Sequence, residues 1–302
     1  MVNELRVRVP ATSANLGPGF DSFGLALPIV AEFELLPART WSVSVDDAAE
    51  GIPTGEDNLF VVAARAAAKA IGTVLPAQHV TQRSAIPQGR GLGSSAAAIV
   101  GGVVAANALL GEPLGRRALL RVAAEVEGHA DNVAAALYGA FTVAVPHHDG
   151  PLAVRFAFPA AWRICLLVPS AVLATDTARG VLPAQVSRSD AVFNLAHASA
   201  LVAAVLKADG ALLRTAMQDR LHQPARLRLV PALDDVVRAA CDAGAFGAAL
   251  SGAGPTVLAV APTRLASRVT AAMEEASALA GTPGRGRVVR VRAAGAQVLR
   301  GS

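Results

Sequence analysis

From residue 91 to residue 111 the sequence runs GLGSSAAAIVGGVVAANALLG without one charged side chain. A segment of that length, roughly 20 residues, is either a membrane span or a helix enclosed by protein on every side. It opens on Gly-Leu-Gly-Ser-Ser, contains Asn107 and consists mostly of Ala, Val and Gly, which makes a poor span and a good filling between a sheet and its helices. Enclosing it requires a large core. The chain has 302 residues, room for about two domains. Of these residues 53% are hydrophobic and only 4% aromatic, so Ala, Val and Leu must build the interior. That suits helices packed closely on sheets.

Around the head of this segment the sequence reads PQGRGLGSSAA over residues 87–97, with Gly89, Gly91 and Gly93 at alternate positions. Glycine-rich loops before helices bind phosphate in more than one way. A P-loop needs Lys immediately before its Ser or Thr, and Gly93 stands there. GLGSSA matches the dinucleotide pattern G-x-G-x-x-A, yet that motif follows an apolar strand, where this chain has the polar TQRSAIPQGR with Pro87. A simpler device is left: glycines let the backbone approach a ligand closely, and a helix starting at Ser94 turns its free N–H groups on it. The result is a cradle for an anion. A glycine-rich turn that only caps the helix fits the same letters.

Alternation of apolar and polar residues, with β-branched enrichment, predicts strands over 5–9, 29–36 and 41–45 as an antiparallel set. Helical periodicity predicts helices over 58–71, with Asn58 as N-cap, and over 94–110 and 114–127. FTVAV at 141–145 reads as another strand, before the turn PHHDGP. Beyond FAFPAAWR come a strand at 164–168, helices over 190–208 and 233–243, two short strands flanking SGAGP, a helix over 264–279 and a last strand at 288–291. This is the split βαβ, or ferredoxin-like, order. The boundary is placed near Phe158, dividing the chain into residues 1–158 and 159–302.

Net charge is +4, but the arginines are scattered and no basic run interleaves with aromatics. No nucleic-acid partner is expected; a small anionic ligand is. Cys165 and Cys241 sit in apolar contexts without metal-ligand spacing, the pattern of reduced structural thiols in a cytoplasmic protein. The opening MVNELRVRVP carries charges and no apolar run, so neither a signal peptide nor a membrane partner is expected.

PQGRGLGSSAA resembles the central motif of the GHMP kinases, a family of small-molecule kinases. VPATSANLGPGFDSFGLAL at 9–27 and GAALSGAGPTVLAV at 247–260 resemble the family's other two motifs, in the family's order, so the resemblance covers essentially the whole chain. It implies an α+β fold of two domains, an N-terminal ribosomal protein S5 domain 2-like domain with the nucleotide loop and a C-terminal ferredoxin-like domain. It also implies ATP and Mg²⁺, and a homodimer. TSANLGPGFD, with Thr12 where mevalonate kinases carry Lys, and EGHADNVAAALYGAF at 127–141 are similar to the branch that phosphorylates the side-chain hydroxyl of L-homoserine. That reaction yields O-phospho-L-homoserine and ADP in threonine biosynthesis. Two alternatives compete: another GHMP activity, such as mevalonate phosphorylation, and a GHMP fold that binds ligand without turnover.

Phosphoryl transfer is mainly positioning and the neutralising of charge. By resemblance, the nucleotide contacts are Asn58 and the run Pro87, Gln88, Gly89, Arg90, Gly91, Leu92, Gly93, Ser94, Ser95, Ala96 and Ala97. Ser95 and Glu127 would hold the metal and, with Arg179, form the catalytic set; Glu125 lies close enough to be a rival ligand. Homoserine carries an ammonium and a carboxylate, so its pocket needs an acid at one end and a bidentate base at the other. Asp21 supplies the acid; Arg179 in TDTARGVLP and Arg226 in DRLHQPAR stand where the family holds the carboxylate. Asn15, His129, Asn132 and Thr175 resemble the family's polar contacts to substrate. No dedicated base is implied: Asp131 reads as structural, satisfying backbone amides at the next helix start. SGAGPT would pack against the nucleotide loop.

Overall fold

The computed structural model describes residues 5–46 and 51–300; residues 1–4, part of the stretch read as lacking a leader, lie outside them. The first half runs β1 (Leu5–Asn15), β2 (Gly19–Pro37), β3 (Ser42–Asp46), α1 (Leu59–Ile71), β4 (Gln78–Ser84), α2 (Ser94–Leu109), α3 (Arg116–Glu127), α4 (Asp131–Tyr138), β5 (Phe141–Val145) and β6 (Leu152–Phe156). The second runs β7 (Trp162–Pro169), α5 (Thr175–Gly180), α6 (Arg188–Lys207), α7 (Gly210–Ala216), α8 (Gln223–Arg226), α9 (Leu233–Asp242), β8 (Gly247–Leu250), β9 (Val257–Pro262), α10 (Ala266–Leu279), β10 (Gly284–Val289) and β11 (Gln297–Arg300). A 3₁₀ turn, Thr263–Leu265, precedes α10.

The uncharged segment is α2, and from Ala96 to Asn107 every one of its residues is buried. It lies against β1 on one side and α1, α3 and α4 on the others. A helix with no face to solvent needs no polar stripe, which is why this one has none. The single polar residue of that buried stretch is satisfied: the Asn107 amide donates to the Leu114 carbonyl (3.1 Å) and accepts from the Leu114 N–H (2.9 Å). Close contact with α1 depends on Gly102, where a Cβ would stand 2.1 Å from the Phe60 carbonyl oxygen. Asn58 caps α1 as expected, its side-chain oxygen accepting from the Phe60 N–H at 2.9 Å.

The first sheet has the order β11-β1-β2-β4-β3, with β5 and β6 continuing from the other end of β2. Two expectations are corrected here. The third strand is not part of an antiparallel set, because β3 pairs parallel to β4, Ser42 opposite His79. The C-terminal strand predicted over 288–291 is β10, and it is not the last. After it the chain crosses back, exchanging backbone hydrogen bonds between Arg292 and both Ala140 and Ala26, and β11 closes the edge of β1. Residues 159–302 therefore do not form one piece; their final strand belongs to the first sheet.

The second sheet, β10-β7-β9-β8, is antiparallel throughout and has the ferredoxin-like strand order. Period-2 alternation along β7 joins two cores. Cys165 and Leu167 face the cluster made with α9 and α10, whereas Ile164 and Leu166 belong to the large core continuous with the first half. Burial raises the pKa of both the Cys165 and Cys241 thiols, and both are free. Among the described residues α6 alone is long and apolar enough to cross a membrane by length and composition. It packs on α7 and buries Leu201, Ala204, Val205 and the polar Asn194.

Candidate active site

Both halves line a single cavity of about 300 Å³. One wall is the glycine loop. Gly89, Gly91 and Gly93 all adopt left-handed φ, between 60° and 69°, a conformation that costs L-residues energy and turns successive N–H groups toward one point. The loop is also wedged from behind: a Cβ at Gly93 would lie 1.9 Å from the Thr12 hydroxyl, and one at Gly91 would lie 2.1 Å from the Ser251 carbonyl oxygen. Thr12 N–H donates to the Leu92 carbonyl at 3.0 Å, and Ser251 Oγ lies 2.7 Å from both the Gly91 carbonyl and Ser13 Oγ. The three motifs thus meet at this loop. Arg90 spends its guanidinium on the carbonyls of Gln88, Pro169 and Ser170, pinning the loop to the end of β7.

Ser95 stands in the first turn of α2 and Glu127 ends α3, and the Ser95 hydroxyl donates to Glu127 Oε1 at 2.7 Å. The Glu127 side chain is 7% exposed, with His129 Nε2 3.8 Å away. Burial raises its pKa, and the Ser95 hydrogen bond pulls part of that back. Glu125 does not join this pair: its side chain is 68% exposed and lies 3.8 Å from the Arg121 guanidinium. A hydroxyl beside a buried carboxylate is a hard oxygen donor set, which fits Mg²⁺.

His129 Nδ1 lies 2.7 Å from Asp131 Oδ1, which also accepts from the Asn132 N–H at 2.7 Å. Burial works against protonation of this imidazole, but the Asp131 hydrogen bond and the charges of Asp131 and Glu127 outweigh it, and its pKa is raised. Asn132 Oδ1 accepts from Thr12 Oγ1 at 2.7 Å.

The opposite end of the cavity holds charge of both signs. Asp21, at φ 55° after the turn Asn15–Gly19, accepts two hydrogen bonds from Arg179 of α5, at 2.7 and 3.1 Å. Asn15 shapes this turn, its oxygen accepting from the Asp21 N–H and its amide donating to the Gly252 carbonyl, each at 3.1 Å. Arg226, 2% exposed, donates to the carbonyls of Ala178 and Gly252 and has no carboxylate in ion-pair contact among the described residues. Burial, with the Arg179 charge adding to it, lowers its pKa. Arginine nevertheless stays cationic. A buried, unpaired guanidinium at a cavity wall calls for an anion.

Of the residues expected from sequence, Thr175 also lines the cavity, and Asn58 does so with its side chain committed to the α1 cap and the Pro53 carbonyl. Ala96 and Ala97 do not; they are buried in the core behind the loop, so only the helix start they belong to faces a ligand. Three contributors went unforeseen. Phe20 lies 5.8 and 5.7 Å beneath the guanidinium carbons of Arg179 and Arg226. Gln82 of β4 lines the cavity with a buried Oε1 that has no hydrogen-bond partner among the described residues. His222, fully buried, sits behind Arg226. Phe20 lies inside VPATSANLGPGFDSFGLAL and His222 inside DRLHQPAR; Gln82 lies in none of the recognised motifs.

Residues 58–140 match the GHMP kinases N terminal domain, and residues 201–278 match the GHMP kinases C terminal domain. The chain belongs to the GHMP kinase family. Its relatives include the homoserine kinase of Desulfitobacterium hafniense, 41% identical over 98% of this chain and 100% of the relative. The homoserine kinase of Deinococcus radiodurans is 48% identical over 83% of this chain and 82% of its own length. Among solved structures, homoserine kinase from Cytophaga hutchinsonii superposes with a TM-score of 0.89 at 33% identity, covering 99% of this chain and 98% of that one. Mevalonate diphosphate decarboxylase from Staphylococcus aureus, at 14% identity and a TM-score of 0.73 over 99% and 98% of the chains, shares the fold.

Proposed function

We propose that this protein transfers the γ-phosphoryl group of ATP to the side-chain hydroxyl of L-homoserine, releasing O-phospho-L-homoserine and ADP, a step of threonine biosynthesis. The observation that carries this is one cavity with a left-handed glycine cradle at one end and Asp21, Arg179 and Arg226 at the other. The first end suits a triphosphate and the second a zwitterion. The names of the relatives above point to the same acceptor.

The loop amides and the start of α2 bind the phosphates by fixed dipoles, so charge moving onto them in the transition state meets donors already in place. Ser95 and Glu127 would hold Mg²⁺, which when bound neutralises phosphate charge. Asp21 takes the α-ammonium, and Arg226 with Arg179 takes the α-carboxylate. The resting Asp21–Arg179 pair opens as the zwitterion supplies each with a new partner. The acceptor oxygen then faces the phosphates, forms the new P–O bond as the bond to ADP breaks, and loses its proton to a phosphoryl oxygen. Asp131 takes no part in that transfer, being occupied by His129 and Asn132. The protein acts in the cytoplasm, and it does so as a homodimer, a pairing supported by the exposed apolar side chains Val192, Leu195 and Leu206 on α6. Sedimentation would report a monomer mass if that pairing is wrong. ADP release measured with homoserine, mevalonate, galactose and no acceptor tests the activity: homoserine alone should raise the rate above background, and an equal rate with mevalonate would refute the assignment.

A further inference from the structure

Within DRLHQPAR the family resemblance assigns Arg226 alone, yet the residue that holds Arg226 in place is His222. Its side chain is fully buried, and both ring nitrogens have partners whose chemistry fixes the proton. Nε2 lies 2.8 Å from the Gly17 carbonyl oxygen, which can only accept, so Nε2 carries the hydrogen. Nδ1 lies 3.1 Å from Arg226 Nη1, which can only donate, so Nδ1 presents its lone pair. The ring is neutral and locked in one tautomer. Burial favours that state and the Arg226 charge reinforces it, against the opposing pull of Asp219, whose carboxylate lies 3.6 Å from Nε2.

The imidazole therefore bridges two pieces of chain that are far apart in sequence. On one side is Gly17, inside the turn that delivers Asp21; on the other is Arg226 on α8. Phe20, between Gly17 and Asp21 in sequence, stacks on the imidazole with centroids 5.3 Å apart, so the turn rests on the ring as well as bonding to it. The bridge is itself anchored: Asp219 accepts from the backbone N–H groups of His222 and Gln223, at 3.0 and 2.8 Å. We propose that His222 is a positioning residue of the amino-acid subsite, whose neutral ring sets Asp21 and Arg226 at the separation that the ammonium and carboxylate of one zwitterion require. This rests on the homoserine assignment above. His222 touches no substrate; it acts through the turn and through Arg226.

Two conservative variants separate the two links. His222→Asn keeps an acceptor near the Nδ1 position but cannot reach Gly17; His222→Gln keeps a donor near the Nε2 position but offers Arg226 nothing. Homoserine KM, ATP KM and the Ki of 4-hydroxybutyrate, which has the carboxylate without the amine, are measured for each. Both variants should raise homoserine KM by about fivefold to tenfold with ATP KM within about twofold of wild type. His222→Asn should leave the 4-hydroxybutyrate Ki unchanged, because the arginine end is intact; His222→Gln should raise it along with homoserine KM. Unchanged homoserine KM in both, or equal losses for ATP and homoserine, overturns the proposal while leaving the kinase assignment standing. Wild-type protein inert toward homoserine overturns the assignment itself, and the zwitterion spacing with it.

Discussion

Replacing Asp21 by Asn separates the ammonium end of the subsite from its carboxylate end, and the structure sets the size of the effect. An ammonium facing a neutral amide loses a charge-assisted hydrogen bond of about 1.5 to 3 kcal/mol. Against this stands the resting pair. Asp21 and Arg179 are joined at 2.7 Å with side chains 36% and 35% exposed, so solvent screens them and opening the pair costs only about 0.2 to 1 kcal/mol. The variant no longer spends that cost. The net loss for homoserine is about 0.5 to 3 kcal/mol, or about twofold to 150-fold in KM, with ATP KM little changed. For 4-hydroxybutyrate the sign reverses: it has no ammonium to lose, and it meets an Arg179 already released, so its Ki should improve by up to about fivefold. Steady-state ADP release, varying homoserine at saturating ATP and then the reverse, with 4-hydroxybutyrate as inhibitor, gives all three numbers. If 4-hydroxybutyrate weakens in step with homoserine, Asp21 holds the turn rather than the ammonium, and the exchange of partners described above does not occur.

Glu127→Gln should lower turnover by about two orders of magnitude or more with ATP binding only modestly weakened, whereas Glu125→Gln, exposed and remote from Ser95, should be silent. The same Glu127→Gln change should stabilise the metal-free protein: the folded pKa is raised above the ordinary 4.5, so ionised Glu127 works against folding, and the Tm advantage of the variant should be absent below that value and grow as pH rises through the folded pKa. A Tm difference that shrinks with rising pH would reverse that account. Gly93→Val places a branched side chain at φ 69° against the Thr12 hydroxyl, and calorimetry should find ATP affinity sharply reduced in a protein whose circular dichroism is unchanged. Gln82→Met replaces a buried carbonyl oxygen that has no partner among the described residues by an apolar group of similar size, and thermal denaturation should show a Tm equal to or above wild type; a loss of several degrees would mean the amide is satisfied after all.

The sequence by itself determined the elements whose pattern is local. Asn58 before an apolar periodic run named its own helix cap, FTVAV its own strand, and the uncharged run 91–111 could only be a helix walled in by others. Strand β4 was harder to see, because Gln78 and Gln82 occupy its buried register and break the apolar alternation that marks a strand. The three motifs identified the loop and half of the cavity wall, since a phosphate cradle needs glycines at fixed positions and such a need shows in the letters. Pairing is not a local property. That β3 runs parallel to β4, and that the chain returns after β10 to close the first sheet with β11, follow from which edges were left open once everything else had packed. The resemblance pointed to Glu127 with Glu125 as its rival, and only the turn of α3 set the two apart in space, one carboxylate hydrogen-bonded by Ser95 and the other at solvent. His222 shows the limit most clearly: as a lone histidine it has many uses, and only when Gly17 arrives from a distant part of the chain on one nitrogen, with Arg226 one helical turn on at the other, does its proton and therefore its task become fixed.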